Sequence, residues 1–294
     1  MAIATGPNPG PGGPGAAEGF YPDGLSAPPA PPKPIPGPLA WLEQLAGMTL
    51  LTLQTMRAAF SPPYNWGGEF VEQCWLVTKR AFIPLMFCTL VFSYGAPGVT
   101  GGSILATLAT TDRLGAFAVM ASVRELATWI NGMVVAGVAG TAICADLGAR
   151  KVREELDALA VLGTDLVKVL IVPRFFALGL MTVVFNYWNT AISLVGQLIA
   201  NMTVWQESAA GYLSTFSSNF TIAEVVFNTL KVLTFGFIIA IVCCYKGMNA
   251  KGGAAGVGRA VNQAVVVAFC AVYVYNYLLN SLLLGAFPET STLR

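Results

Sequence analysis

Five long apolar stretches constrain the fold of this 294-residue chain more than any other feature. They cover residues 82–108, 114–145, 172–202, 225–245 and 264–287, and the Gly/Pro-rich "GAPGVTGG" at 95–102 interrupts the first. Each reaches the roughly 20 residues that an α-helix needs to cross about 30 Å of hydrocarbon. Only 11% of the residues are charged, against about 25% in an average soluble domain. The pattern predicts an all-α integral membrane protein with about five transmembrane helices.

The region before these stretches divides into two parts. Residues 1–38 hold 12 of the 18 prolines and 8 glycines. Such a composition cannot bury enough apolar surface to fold, so a disordered tail is predicted. Residues 39–63 could just span a bilayer, but Glu43 and Arg57 near the two ends favour a helix lying at the membrane interface. Residues 64–294 then form the membrane domain.

The distribution of basic residues predicts the orientation of the chain, because cytoplasmic connections retain Lys and Arg. Twelve of the 16 basic residues lie before the first apolar stretch, between the second and third, or between the fourth and fifth. The connection at 204–224 has none. The N-terminus is therefore expected in the cytoplasm and the C-terminus on the outer, periplasmic side, which requires an odd number of spans.

The stretch "KGGAAGVGRA" at 251–260 comes close to an ATP-binding P-loop. Gly253 and Gly258 have the required spacing, but Arg259 and Ala260 replace the Lys and the Ser or Thr that contact phosphate and Mg²⁺. A working P-loop also follows a β-strand, whereas this stretch follows an apolar span. The glycines are better explained by a flexible or tightly turning loop. The chain is not expected to bind ATP itself.

The composition excludes several kinds of chemistry. The chain has no histidine, which removes Ser-His-Asp and Cys-His catalysis and the usual imidazole metal sites. Its six cysteines form no C-x-x-C pair, so small buried side chains are expected rather than metal ligands. A net charge of +1 provides no attractive field for nucleic acid. We therefore expect no metal site, no cofactor in this chain and no nucleic-acid partner.

A charged segment at 145–174 holds five basic and five acidic residues. Its apolar residues recur at mixed helical spacing, so one face is apolar and the other charged, and Gly163 is expected to end the helix. A solvated connector is one interpretation. The density of both charge signs in so charge-poor a chain favours a short helix that docks into a cytoplasmic partner. The candidate residues are Arg150, Arg153, Glu154, Glu155, Leu156, Asp157, Leu159 and Gly163.

The second apolar stretch carries two further candidate features. Gly132, Ala136 and Gly140 form a small-xxx-small repeat that allows another helix to approach closely, within the subunit or between subunits. Arg124 and Glu125 are adjacent opposite charges near the outer edge of the hydrocarbon core. Neighbours on a helix point about 100° apart, so each is expected to meet another helix, a second subunit or a lipid headgroup. Snorkelling to the interface is the alternative.

These residues carry a resemblance to a known family. The stretches "RELATWINGMVVAGVAGTAICADLGARKVREELDALAVLGTDLVKVLIVPRFFAL" (124–178) and "GFIIAIVCCYKGMNAKGGAAGVGRAVNQAVV" (236–266) look like the core of the MlaE/YrbE permeases. The Pro/Gly-rich N-terminal segment makes the chain similar to an actinobacterial YrbE subunit of a mammalian-cell-entry (Mce) transporter. The resemblance implies an interfacial N-terminal helix, five spans and a cytoplasmic coupling helix at 148–163. It also implies a lipid pocket at the Arg124–Glu125 pair.

The function implied by the resemblance is that of a non-catalytic permease subunit of an ATP-driven ABC lipid transporter of the Mce type. Such a transporter moves hydrophobic lipids, for example fatty acids, mycolic acids or sterols, across the bacterial inner membrane. Separate ATPase subunits bind ATP and Mg²⁺, and MCE-domain proteins form a tunnel above. Glu154, Glu155 and Asp157 would contact basic residues of the ATPase, and Leu156 and Leu159 would anchor the helix.

Two alternatives stay open. The resemblance implies a core of two permease subunits, and departures from the family pattern at Glu155, Leu166 and Val138 favour a heterodimer with a second YrbE-type permease over a homodimer. A lipid channel or membrane scaffold without ATP coupling is the alternative function, and it would place a row of polar residues along one span. Four polar residues share a face of the third apolar stretch: Asn186, Thr190, Ser193 and Gln197. Hydrogen bonds between helices explain them equally well.

Overall fold

The computed structural model describes residues 40–62, 64 and 66–286, and this part of the chain is helical, with no β-strand. Five of its helices are long and apolar enough to cross a membrane. These are Gly67–Thr107, Thr111–Val152, Val167–Thr203, Ile222–Met248 and Gly253–Leu282, hereafter the first to fifth spans. The predicted fold class is confirmed. The predicted disordered tail at 1–38 lies outside the described residues, as do residues 287–294.

The Gly/Pro-rich stretch at 95–102 does not interrupt the first span, contrary to the prediction. The α-helix Gly67–Ser93 continues as the π-helical segment Tyr94–Gly101 and then as the α-helix Gly102–Thr107. Pro97 lies inside the π-helical segment. A Cβ atom added to Gly98 would lie 2.6 Å from the Cβ of Ala200. This glycine therefore lets the third span approach the first closely, and it does not end the helix.

π-Helical segments also occur in the second and third spans. The second span comprises the 3₁₀ turn Thr111–Arg113, the α-helices Leu114–Ala118, Ala127–Val134 and Thr141–Val152, and the π-helical segments Val119–Leu126 and Val135–Gly140. The third comprises the π-helical segment Val167–Ile171 and the α-helix Val172–Thr203. Such segments are frequent at functional sites. One of them contains both Arg124 and Glu125.

In the described part of the chain, three shorter helices lie outside the spans: Ala40–Ala59, Glu155–Val161 and Ala209–Asn219. The chain divides into two units, Met1–Glu43 and Gln44–Arg294, and of the first unit the structure describes only residues 40–43. The helix Ala40–Ala59 is not among the helices apolar enough to cross a membrane. Its position at the membrane interface stays a prediction.

The stretch that resembles a P-loop is a tight turn followed by the beginning of the last helix. Gly252 and Gly253 have φ angles of +89° and +65°, which favour glycine. The helix Gly253–Ala286 then begins, well before the predicted start at 264. The predicted loop is therefore confined to the residues around Gly252, and the later glycines of the stretch are helical.

The third span occupies the centre of the bundle, between the first and the fourth. In its most apolar part 56% of the residues are buried, against 28% for the first span and 17% for the fifth. Large apolar side chains on these two spans, among them Ile83, Phe87 and Tyr277, are exposed. Such surfaces contact lipid or another subunit in a membrane.

Candidate functional site

A buried ion pair joins the second span to the fourth. Arg124 lies in a π-helical segment of the second span, and Glu224 lies in the first turn of the fourth. The Arg124 guanidinium bonds both carboxylate oxygens of Glu224, with Nη2 on Oε1 and Nε 3.4 Å from Oε2. The two residues are 8% and 3% exposed. Either charge would be costly to bury alone, so each stabilises the other in this position.

Glu125 and Lys231 extend this pair into a cluster. The Glu125 carboxylate accepts hydrogen bonds from Asn276 Nδ2, at 3.0 Å, and from Asn280 Nδ2, both in the fifth span. Lys231 Nζ, in the fourth span, donates to the backbone oxygen of Arg124 and, at 3.1 Å, to Asn280 Oδ1. Two formally acidic and two formally basic side chains therefore meet between three spans. We call them the ion cluster: Arg124, Glu125, Glu224 and Lys231.

The structure places the partners of Arg124 and Glu125 on other helices of the same chain, which is one of the alternatives left open by the sequence. Arg124 is bonded to the fourth span and Glu125 to the fifth. The sequence analysis missed Glu224 and Lys231. A signal was available for Lys231, because an ionisable residue inside an apolar span is rare and is a functional candidate by default. Glu224 lies just before the predicted stretch 225–245, so the same signal did not apply to it.

The cavity beside the ion cluster is small. It has a volume of about 10 Å³, and its wall includes Arg124, Glu224, Lys231 and Asn280. This volume admits about one water molecule. A lipid chain does not fit into this cavity in the present conformation, and a lipid pocket at Arg124 and Glu125 stays a prediction.

The small-residue repeat packs inside the chain. A Cβ atom added to Gly132 would lie 3.2 Å from the ring of Phe235, and one added to Gly140 would lie 2.8 Å from Cys243 Sγ. Ala136 is fully buried between them. The repeat therefore brings the second span against the fourth, and the close approach it allows is made within the subunit.

The polar row of the third span is also buried within the bundle. Gln197 Nε2 donates to Ser122 Oγ at 2.5 Å, which joins the third span to the second. Asn186 Nδ2 donates to Asn228 Oδ1 at 3.3 Å, which joins it to the fourth. Interhelical hydrogen bonds therefore account for Asn186 and Gln197, whereas the hydroxyls of Thr190 and Ser193 have no hydrogen-bond partner within the described residues. The row does not line an open path in this conformation.

The predicted coupling helix at 148–163 is not one helix. The helix of the second span continues to Val152, and the chain breaks at Glu154, whose φ angle is +61°. A residue in this left-handed conformation cannot continue a right-handed helix. A separate short helix, Glu155–Val161, then begins. The charged segment is therefore split between the end of a span and an independent element.

Gly163 lies two residues after the last residue of the short helix, and the chain leaves the helix there, as the sequence predicts. Its φ angle is +76°. The Gly163 N–H donates to Ala160 O at 3.0 Å and the Thr164 N–H donates to Leu159 O at 3.1 Å. This pair of bonds satisfies carbonyls at the end of the helix and favours glycine at the left-handed position.

The short helix presents one buried and one exposed side. Leu156 is buried and belongs to the main apolar core of the bundle, and Leu159 is half-buried. Val161 and Leu162, at the end of the helix, are 88% and 78% exposed. An apolar pair exposed beside charged residues is typical of a protein interaction surface. The side chain of Leu156 anchors the helix, and its end is free to contact a partner.

Two acidic residues of the segment already form ion pairs within the chain. Arg153 Nε lies 2.7 Å from Glu155 Oε1, and Lys151 Nζ lies 2.8 Å from Asp157 Oδ1. Both pairs are exposed to solvent, where such pairs contribute about 0–1 kcal/mol. Glu154 is exposed as well. The carboxylates can therefore exchange these partners for other basic groups at little cost.

A second ionic network links the spans at the end of the bundle next to the short helix. Arg174, in the third span, is 2% exposed, and its Nη2 lies 2.8 Å from Asp146 Oδ2 in the second span. Its Nη1 donates to Leu170 O at 2.7 Å. Arg150 Nε adds a contact to Asp146 Oδ1 at 3.2 Å, and Glu69 of the first span lies 3.9 Å from Arg174. Three spans are therefore linked next to the short helix.

A comparison with known protein families agrees with this architecture. A family model described as permease MlaE matches residues 70–282. The chain belongs to the MlaE permease family. With its five apolar helices, this permease is a multi-pass membrane protein.

Several proteins similar to this permease are named as probable ABC transporter permeases. A probable ABC transporter permease protein of Synechocystis sp. is 35% identical over 182 residues, which cover 62% of this chain and 69% of that protein. Another, from Rickettsia bellii, is 28% identical over 240 residues, which cover 82% and 92%. The protein TRIGALACTOSYLDIACYLGLYCEROL 1, chloroplastic, of Arabidopsis thaliana is 30% identical over 168 residues, which cover 57% and 48%. These names and the family support the role of a permease subunit of an ABC transporter.

The six cysteines of the permease fall into three groups. Cys144, Cys243 and Cys244 are buried, as expected for small apolar side chains, Cys74 is half-buried, and Cys88 and Cys270 are exposed on the first and fifth spans. Within the described residues, no three His, Cys, Asp or Glu side chains come together as metal ligands. The expectation of buried cysteines is therefore correct only for the first group.

Proposed function

We propose that this MlaE-family permease is the membrane-spanning, non-catalytic subunit of an ATP-driven ABC lipid transporter of the Mce type. It lies in the bacterial inner membrane with its N-terminus in the cytoplasm and its C-terminus in the periplasm. Its partners are a second YrbE-type permease, ABC ATPase subunits that bind ATP and Mg²⁺, and MCE-domain proteins. Family membership supports the permease role, and the resemblance of the sequence to YrbE subunits supports the Mce type.

The observation that carries this proposal is the short helix Glu155–Val161, with the exposed Val161 and Leu162 at its end. In the proposed orientation this helix faces the cytoplasm, where an ATPase subunit would contact it. It follows directly on the second span, and the network around Arg174 ties that span to the third. A rigid connection of this kind transmits movement of a docked subunit to the spans rather than absorbing it.

The lipid is proposed to enter on the other side of the membrane, beside the ion cluster. The cavity there is too small for a lipid chain, so entry requires the fourth and fifth spans to move away from Arg124 and Glu125. Those movements would break the bonds from Asn276 and Asn280 to Glu125. The Arabidopsis relative bears the name of a glycolipid, which supports lipids as the substrate class. Fatty acids, mycolic acids and sterols are the proposed examples.

Recruitment of the ATPase tests the docking surface directly. The tagged permease is purified from its native membrane in mild detergent, and the accompanying proteins are identified by mass spectrometry. An ATPase with an intact P-loop, a second permease and MCE-domain proteins are expected. Reversing Glu154 and Glu155 to Lys should reduce the recovered ATPase about tenfold, equivalent to about 1.4 kcal/mol of binding free energy.

The matched control is Glu72→Lys, which reverses an exposed carboxylate on the first span, outside the short helix. This variant should recover as much ATPase as the unchanged chain. All variants should insert into the membrane in equal amounts. Undiminished ATPase recovery with the double variant would reject the docking surface, and a permease that copurifies with no ATPase at all would reject ATP coupling and favour a channel or scaffold.

A further inference from the structure

Two adjacent basic residues lie on the exposed face of the first span, where its uncharged part begins. Lys79 and Arg80 are the last charged residues before residues 81–111, which contain no Asp, Glu, Lys or Arg. Both side chains are exposed, about three turns after the helix begins at Gly67. An uncharged run of this length is enough to cross the hydrocarbon core of a bilayer. We call Lys79 and Arg80 the basic pair and expect it at the level of the lipid headgroups.

The basic pair has no acidic partner in the part of the chain that the structure describes. None of the six ion pairs found there includes Lys79 or Arg80. Glu69, on the same span, lies 3.9 Å from the buried Arg174 instead. Glu72 precedes Lys79 by seven residues, roughly 10 Å along the helix axis. Two adjacent cations without a counter-charge attract an anion.

The surface beyond the basic pair is apolar and uncovered. Ile83 and Phe87 lie one and two turns after Lys79 on the same face, and they are 75% and 68% exposed. Phe82 packs edge-on against Trp188 of the third span, with ring centroids 6.4 Å apart, and Trp188 is exposed as well. The apolar surface therefore extends over two spans directly next to the two cations.

An exposed aromatic residue lies on the other side of the basic pair. Trp75 precedes Lys79 by one turn on the same face. Trp is enriched at the boundary between membrane and water, because one part of its ring is apolar and its N–H is polar. Side chains on a helix lean towards its N-terminus, so we expect the charged ends of Lys79 and Arg80 to extend towards Trp75 and away from the apolar surface. The order of Trp, cations and apolar side chains along this face is the order of the layers in a phospholipid membrane.

We propose that the basic pair binds the headgroup of an anionic phospholipid whose acyl chains lie on Ile83, Phe87 and Trp188. The Arg80 guanidinium suits two oxygens of one phosphate group, and the Lys79 ammonium adds a second charge. A phosphate ion alone would leave the apolar surface uncovered, whereas a lipid covers both parts. A zwitterionic lipid offers the same phosphate, but its own ammonium group cancels the charge that the basic pair attracts.

This lipid site is distinct from the ion cluster. The basic pair lies near the start of the first span, and Arg124 lies near the start of the second, which crosses in the opposite direction. The two sites therefore lie towards opposite ends of the bundle. In the orientation proposed above, the bound lipid belongs to the cytoplasmic leaflet. It is a resident of the permease surface rather than the transported molecule, so the inference goes beyond the proposed function.

Native mass spectrometry of the full-length permease measures this binding, because each bound lipid adds a resolved mass. The permease is titrated with phosphatidylglycerol or with phosphatidylcholine that carries the same acyl chains. A basic residue at an anionic membrane surface contributes about fivefold in affinity, so two should contribute about 25-fold. The unchanged permease should therefore bind its first phosphatidylglycerol at least about tenfold more tightly than its first phosphatidylcholine.

The variant Lys79→Gln/Arg80→Gln should bind both lipids with equal affinity. Its matched control is Lys251→Gln/Arg259→Gln, which removes two exposed basic residues at the same end of the bundle. Neither Lys251 nor Arg259 forms an ion pair within the described residues. This control should keep the preference for phosphatidylglycerol. If the test variant does not fold, Lys79→Gln and Arg80→Gln replace it singly, and each should lower the preference about fivefold.

Four results would overturn the assignment. Equal affinity of the unchanged permease for the two lipids would exclude an anionic site, and an unaltered preference in the test variant would exclude the basic pair. A loss of preference in the control as large as in the test variant would show a general attraction of the charged surface. Loss of a copurifying second permease from the test variant, with lipid binding unchanged, would assign the surface to a subunit contact.

Discussion

Replacing Glu224 by Gln should destabilise the permease by about 3–5 kcal/mol, the usual cost of removing one partner of a buried ion pair. The change keeps the shape of the side chain but removes the charge that the Arg124 guanidinium contacts at two oxygens. The two side chains are 9% and 3% exposed, so water screens the remaining charge only weakly. The loss should therefore exceed that of any exposed pair, which contributes about 0–1 kcal/mol.

The assay is a double-mutant cycle with Glu224→Gln, Arg124→Gln and both changes together, unfolded by denaturant in one detergent. Because each single variant already removes the Arg124–Glu224 ion pair, the double variant should be less destabilised than the sum of the two by about 1–3 kcal/mol. Glu72→Gln, an exposed control, should change the free energy of unfolding by less than about 0.5 kcal/mol. Additive effects of the single variants would refute a stabilising ion pair between the second and fourth spans. A decrease in the free energy of unfolding below about 1 kcal/mol for Glu224→Gln would refute it as well.

Two further predictions concern packing and ion pairing. Gly236→Ala should destabilise the permease by about 1–3 kcal/mol, because the added Cβ would lie 2.6 Å from a backbone oxygen of the third span. Gly137→Ala should leave the stability unchanged or raise it, because nothing lies within 4 Å of its added Cβ. Thermal unfolding of the two variants in one detergent distinguishes them, and equal losses would contradict the close approach. Asp146→Asn should destabilise the permease more than Asp157→Asn, because Asp146 neutralises the buried Arg174 whereas Asp157 lies in an exposed pair. The same unfolding assay compares them, and the reverse order would show that the Arg174 network is unimportant.

The number and order of the spans follow from local sequence properties. Each stretch of about 20 apolar residues must form a helix in lipid, because the backbone has no other way to satisfy its hydrogen bonds there. The sequence predicts the ends of the helices less accurately. The first span begins at Gly67 rather than near residue 82, and the fifth begins at Gly253 rather than near 264. Hydrophobicity marks the part of a helix that lies in lipid, and a helix often continues beyond it.

The role of a glycine is harder to predict from the sequence than the position of a span. A glycine can end a helix, and it can also allow two helices to pack closely. Gly163 and Gly252 adopt positive φ angles and end or turn the chain, as their local context suggests. Gly98 instead lies inside a continuous helix, where it makes room for Ala200 of the third span. The sequence contains the same residue in both cases. Only the neighbouring span decides whether a glycine breaks a helix or permits contact.

The candidate site shows the same division. The sequence by itself determined that Arg124 and Glu125 must find partners, because charges in an apolar span are costly and adjacent residues point in different directions. It also determined that a charged segment with a terminal glycine follows the second span. The tertiary structure alone decided the partners: Glu224 lies 100 positions from Arg124 in the chain. Pairing across such a separation depends on how helices pack, and no local pattern of residues encodes that arrangement.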